Sequence, residues 1–205
     1  MISYEDLNQA HLDVLREISN IGAGNAATAL SVILNKRIDM LVPSAYIASF
    51  AKIAEITGGP EKEVAGGYLM VSDESIPMGI LFLVPKEQMS FFFKILLGAE
   101  LDPNSMLDDM QKSAFSEIVN ILSGAYLNAL SMFTQRTYNQ SVPALCVDMA
   151  GAILGEVLMM IGEVSDYALV IENTFVADED QLNGYFLLLP QPETLENLFT
   201  TLGVS

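Results

Sequence analysis

Asp13, Glu17 and Asn20 step along the chain by four and then three residues, and one hundred residues later Ser113, Glu117 and Asn120 repeat the same steps. Gly24 and Gly124 extend each set by four, and Pro43 and Pro143 follow at the same distance. At about 100° per residue, such spacings keep the side chains within roughly 60° of one helix face. A carboxylate and a carboxamide one turn apart suit two tasks: the amide can orient a water molecule, and the carboxylate can hold a cation carried by a partner. Neither set has the histidine, cysteine or metal cluster that a catalytic triad or zinc hydrolysis requires. Hydrolysis of an already activated phosphoryl group asks for little more, because its loose transition state gains mainly from positioning and electrostatics. A single Glu-x-x-Asn would ordinarily be a solvated helix face. Its return with every spacing kept sets this pair apart.

The elements that must carry these residues repeat as well. Ile18, Ile21, Leu30, Ser31 and Val42 recur as Ile118, Ile121, Leu130, Ser131 and Val142 at a shift of 100, and Gly79, Leu83, Pro85 and Gly98 recur at a shift of 105 as Gly184, Leu188, Pro190 and Gly203. A period this long marks two structural halves and not a solenoid. We therefore expect one domain over 1–205, made of two repeats, about 1–100 and 101–205, packed about a pseudo-twofold axis. The growth in shift is expected to sit in a longer loop of the second half. Residues Glu5–Asn35 read as one helix opened by Ser3 and Asp6, with Leu107–Thr134 as its counterpart. Val14, Leu15, Ile18, Ile21 and Gly22 form its apolar stripe, about 120° from the polar one.

Two short extended pieces broken at Pro43 or Pro143 should follow each long helix. A short helix comes next, around Ser49–Thr57 and Met149–Gly162. Two strands joined by a turn follow, Glu63–Val71 with Met78–Val84 across Asp73-Glu74-Ser75, and Tyr167–Val176 with Asn183–Leu189 across Asp178-Glu179-Asp180. A closing helix, Lys86–Leu97 or Pro192–Leu202, ends at Gly98 or Gly203. The expected class is α/β of the α+β kind, each half running helix, strand, helix, strand, strand, helix, with a mixed or antiparallel sheet covered by helices. Glycine inside a helix costs roughly 1 kcal/mol relative to alanine. Gly24 and Gly124 therefore want a reason, which could be close approach of a partner or close packing of the two long helices on each other.

With 205 residues, of which 51% are hydrophobic, the chain can bury a sizeable core. Nine Lys and Arg against 26 Asp and Glu give a formal charge of −17. Nucleic acid and anionic membrane surfaces would repel such a chain, so neither is an expected partner. The first residues lack the basic-then-apolar pattern of an export signal, and the apolar stretches are too short or interrupted to span a bilayer, so the expected location is cytoplasmic. Cys146 is the only cysteine and His11 the only histidine. That leaves no disulfide and no zinc site of the usual kind, so no metal or cofactor of its own is expected. Cys146 reads as a small buried apolar group, and His11 as a lone side chain beside the polar stripe.

The doubled pattern Asp/Ser-x3-Glu-x2-Asn-x22-Pro, with Glu17-Ile18-Ser19-Asn20-Ile21-Gly22-Ala23-Gly24-Asn25-Ala26-Ala27-Thr28, resembles the CheC family of bacterial chemotaxis phosphatases. The resemblance implies hydrolysis of the aspartyl phosphate of a phosphorylated CheY-type response regulator. It implies that Asn20 and Asn120 orient the attacking water, that Glu17 and Glu117 contact the regulator's lysine, and that the Mg2+ ion belongs to the regulator. Asp13, Ser113, Gly24, Gly124, Pro43 and Pro143 would be supporting positions. It further implies a possible second partner, the deamidase CheD, on the short helix of the second half, involving Asp148, Met149, Ala152 and Ile153, although that helix reads equally well as ordinary core. The expected state is a monomer with two active faces. The alternative is a non-catalytic chemotaxis or flagellar-switch module that binds the regulator or CheD.

Overall fold

A computed structural model describes residues 3–72, 77–98, 105–161 and 166–204. The elements are α1 (Gln9–Ile33), β1 (Asp39–Leu41), β2 (Ala45–Ser49), α2 (Phe50–Ile56), β3 (Glu63–Ser72), β4 (Met78–Pro85) and α3 (Ser90–Leu97). The second half repeats them as α4 (Asp109–Thr134), β5 (Asn139–Gln140), β6 (Ala144–Met149), α5 (Ala150–Met160), β7 (Tyr167–Ala177), β8 (Asp180–Pro190) and α6 (Pro192–Thr201). Pro43 and Pro143 fall between the paired extended pieces, as their missing amide donors require. The expected turn at Asp73-Glu74-Ser75 lies outside the described residues. The expected turn Asp178-Glu179-Asp180 is tighter: Asp178 adopts φ +53° and Asp180 already belongs to β8.

Helix α1 starts later than its sequence suggests. Ser3 and Asp6 close a separate 3-10 turn, Tyr4–Asp6, with the Ser3 N–H donating to Asp6 Oδ2 at 2.8 Å. The cap of α1 is Asn8, whose Oδ1 accepts the Ala10 N–H at 2.9 Å, while the Asn8 N–H donates to His11 Nδ1 at 3.2 Å. Asp108 and Gln111 form the equivalent box on α4, one hundred residues on, with bonds of 2.8 and 3.0 Å. Reciprocal bonds of this kind satisfy two of the orphan amides at a helix start. The far ends match too: Asn35 and Gln135 both sit in the left-handed region, at φ +46° and +55°, where each helix stops. His11 is thus a capping and core residue, 2% exposed with its ring edge-on to Phe199.

Among the described residues all strand pairs are antiparallel, in one eight-stranded sheet of order β1-β7-β8-β4-β3-β5, with β2 also on β7 and β6 also on β3. At its centre Leu81 pairs with Leu187 and Phe82 with Phe186. Under the shift of 105, Leu81 corresponds to Phe186 and Phe82 to Leu187, so the pseudo-twofold axis passes between these two pairs. β1 and β2 of the first repeat lie on β7 of the second, and β5 and β6 of the second lie on β3 of the first. The repeats interlock.

Alternation along β4 sends Ile80, Phe82 and Val84 to one face and Leu81 and Leu83 to the other. The first face packs beneath α1, α4, α3 and α6, and the second beneath α2 and α5. The extra length of the second repeat lies largely in a helix and not a loop, since α5 has 11 residues where α2 has 7. Helices α1 and α4 pack side by side, and Gly22 lets Tyr126 of α4 lie directly against α1. A Cβ there would lie 2.9 Å from Tyr126 Cδ1 and 3.1 Å from Tyr126 Cα. The pair related by the repeat is Leu122 and Ala26, both buried, so the large and small residues have changed sides.

Candidate functional site

Burying Leu15, Ile18 and Gly22 on α1, and Phe115, Ile118 and Leu122 on α4, turns the opposite face of each helix outward. Asp13, Glu17, Asn20 and Gly24 are all exposed, as are Ser113, Glu117 and Asn120. The polar stripes therefore lie where their spacing predicts. Among the described residues the side chains of Glu17, Asn20 and Glu117 make no hydrogen bond or ion pair within the chain. Their charge and amide groups remain available to a partner.

The two stripes differ in detail. Asp13 is engaged locally, accepting from Gln9 Nε2 at 2.9 Å and lying 3.8 Å from Arg16. In the second half, Asn120 Oδ1 accepts from Gln140 Nε2 at 2.8 Å. The repeat gives no sign of Gln140, because its counterpart is Met40, which is buried. Gly24 has open space around it, and Gly124 meets only Gln140 Nε2, at 3.9 Å from an ideal Cβ. Close packing of the two helices therefore explains Gly22 and neither Gly24 nor Gly124. Beside Gly24 a groove of about 830 Å³ runs between α1 and β1, lined by Thr28, Ser31, Val32, Met40 and Leu41. Pro43 is exposed and Pro143 buried, so the two supporting prolines have unlike surroundings.

Of the residues singled out on and before α5, Asp148, Met149 and Ala152 are exposed, whereas Ile153 is 4% exposed and packs in the second core against Gly66. A partner could reach the first three but not Ile153. Cys146, expected as a small buried apolar group, is half-buried on the edge strand β6; burial first, then the charges of Asp148 and Glu156, push its thiol pKa up. Among the described residues no three histidine, cysteine, aspartate or glutamate side chains group to hold a metal ion, and no helix is long and apolar enough to cross a membrane.

The CheC-like family model matches residues 11–47 and 110–147, the two segments that carry the stripes and their prolines. The CheY-P phosphatase CheC of Bacillus subtilis is 34% identical over 209 aligned positions, covering all of both chains. The flagellar motor switch phosphatase FliY of the same organism is 26% identical over 142 residues, 68% of this chain but 36% of that one. Among solved structures, Thermotoga maritima FliY superposes with a TM-score of 0.75 at 19% identity, covering 96% of this chain and 98% of that one. The FliM middle domain of H. pylori gives 0.70 at 10% identity, covering 95% and 99%, and bears on the fold alone. Matched end to end by a phosphatase of that name and twice by the family model, once on each stripe-bearing helix, the chain belongs to the CheC-like family.

Proposed function

We propose that the chain is a protein phosphatase that hydrolyses the aspartyl phosphate of a CheY-type response regulator, with Glu17 and Asn20 forming one site and Glu117 and Asn120 the other. The observation that carries this reading is the pair of outward-facing Glu-Asn stripes, presented on rigid 25- and 26-residue helices. Asn20 and Asn120 hold the attacking water by their carboxamides, in line with the phosphorus. The water oxygen bonds to phosphorus and the bond to the regulator's aspartate breaks. Inorganic phosphate and a carboxylate result, and the water's protons pass to phosphate oxygen and solvent. Glu17 and Glu117 pair with a regulator lysine and fix the docking register. Little general-base strength is needed, because placement of the water supplies most of the gain.

Mg2+ belongs to the regulator in this reading, where it neutralises the charge of the phosphoryl group. The protein works in the cytoplasm as a monomer, and Asp148, Met149 and Ala152 offer an exposed face to a CheD-type deamidase. The test is the decay of phosphorylated regulator with the intact protein, with Asn20→Ala, with Asn120→Ala and with both. Each single variant is expected to keep the rate of the other site, and the double variant to fall by about 10²-fold or more, the usual scale for a lost positioning group. No acceleration by the intact protein would leave a binding module only.

A further inference from the structure

Gln140 has no equivalent in the first repeat, and its position is over-determined. It pairs with Val71 in the β5–β3 ladder, and the next residue, Ser141, exchanges bonds with Met70: the Ser141 N–H donates to Met70 O at 2.9 Å and Ser141 Oγ accepts the Met70 N–H at 3.1 Å. From this anchored strand, Gln140 Nε2 reaches both oxygens of Asn120, the side-chain Oδ1 at 2.8 Å and the backbone carbonyl at 3.3 Å.

The backbone carbonyl fixes the rest. A carbonyl oxygen only accepts, so Gln140 must present its nitrogen to Asn120, and that nitrogen in turn requires the Asn120 oxygen and not its NH2 group. The Asn120 carboxamide is thereby locked in one sense, with Oδ1 on Gln140 and the Nδ2 donor on the side away from it. This orientation is kept although Gln140 Oε1 is buried without a donor, a state that is destabilising by itself. Asn20 has no such partner among the described residues, and the place of Gln140 is taken by the core residue Met40 beside an open groove.

We propose that Gln140 is a positioning residue that pre-orients Asn120, making the two sites unequal and the second the faster. The inference rests on the site reading above. A carboxamide already held in one orientation loses less freedom when it engages the water and the phosphoryl oxygens, and the gain appears in turnover and not in docking.

The experiment measures decay of phosphorylated regulator in two backgrounds, Asn20→Ala, which leaves the second site, and Asn120→Ala, which leaves the first. Gln140→Met, the residue type of the first repeat, and the near-isosteric Gln140→Glu, which lacks the donor, are introduced into each. With the second site alone, kcat is expected to fall about three- to tenfold with KM nearly unchanged, the scale of one neutral hydrogen bond. With the first site alone neither substitution changes the rate. In 15N-labelled protein the Asn120 side-chain NH2 group is expected to be rigid, to become mobile in Gln140→Met, and to contrast with a mobile Asn20 in both. An unchanged or higher kcat through the second site overturns the inference, as does an equal loss in both backgrounds, which would mark a general disturbance of the fold. Full activity in the Asn20→Ala/Asn120→Ala double variant would overturn the site reading and this inference together. Loss there, with no effect of Gln140 substitution, overturns the inference alone.

Discussion

A thiol on an edge strand is open to reagents, yet Cys146 should react slowly. Its pKa is raised by partial burial first and by the negative charges of Asp148 and Glu156 second. Because the thiolate is the nucleophile, alkylation by iodoacetamide at neutral pH is expected to be slower on the folded protein than on the urea-unfolded chain. Raising the pH should close that gap, and added salt should narrow it only slightly, since screening removes the carboxylate share and leaves the burial share. A folded protein that reacts faster than the unfolded chain at neutral pH would contradict this account. The thiol's neighbours were not legible in the sequence, where an apolar strand residue reads as core; the sheet places β6 at an edge instead. Glu17, Asn20, Glu117 and Asn120 were legible, because helical periodicity converts spacing directly into a shared face. Gln140 was not, because it meets Asn120 from a strand twenty residues away and its repeat mate is a methionine.

Among the helices, Gly22 and Gly24 offer opposite outcomes from the same substitution on one element. Gly22→Ala would drive a methyl group to 3.1 Å from the Tyr126 backbone, which cannot rotate away. Tyr126 is further fixed by stacking on Phe186, at 4.5 Å between ring centroids, and by its hydroxyl bond to Asn173. The expected cost is roughly 1–3 kcal/mol, as for other overpacked cores. Gly24→Ala meets nothing within 4 Å and sits in an ordinary helix, so it is expected to stabilise by roughly 0.5–1 kcal/mol through helix propensity. Urea titration of both variants measures the two signs, and destabilisation by Gly24→Ala would show that this glycine serves the fold. Helix existence and facing were readable from the apolar stripes. Ser3 and Asp6 look like the cap of α1 but close a separate turn, and the recurrence of Asn8-x-x-His11 as Asp108-x-x-Gln111 distinguishes the true one.

For the molecule as a whole, the repeat predicts a twofold but leaves open whether each half pairs its own strands. Either arrangement satisfies the same alternation of apolar residues, so periodicity alone cannot choose between them. The answer is exchange: among the described residues β1 and β2 pair with β7, β5 and β6 pair with β3, and the centre of the sheet is the junction of β4 with β8. A chain cut between residues 98 and 105 therefore yields fragments that each leave one hydrogen-bonding edge bare, that of β4 in one and of β8 in the other. The cut would expose Phe82 and Phe186, both fully buried in the intact protein. Neither fragment is expected to fold alone, since bare apolar edges favour association over a stable half. Mixed in equal amounts the fragments should recover native circular dichroism, because every missing partner is supplied by the other. The uncut protein should unfold in one transition, with equal calorimetric and van't Hoff enthalpies. A single fragment that unfolds cooperatively by itself would show that the exchanged strands are ornaments on two independent cores. Failure of both fragments alone, followed by recovery on mixing, would show that the two polar stripes share one folding unit and that damage under one helix reaches the site on the other.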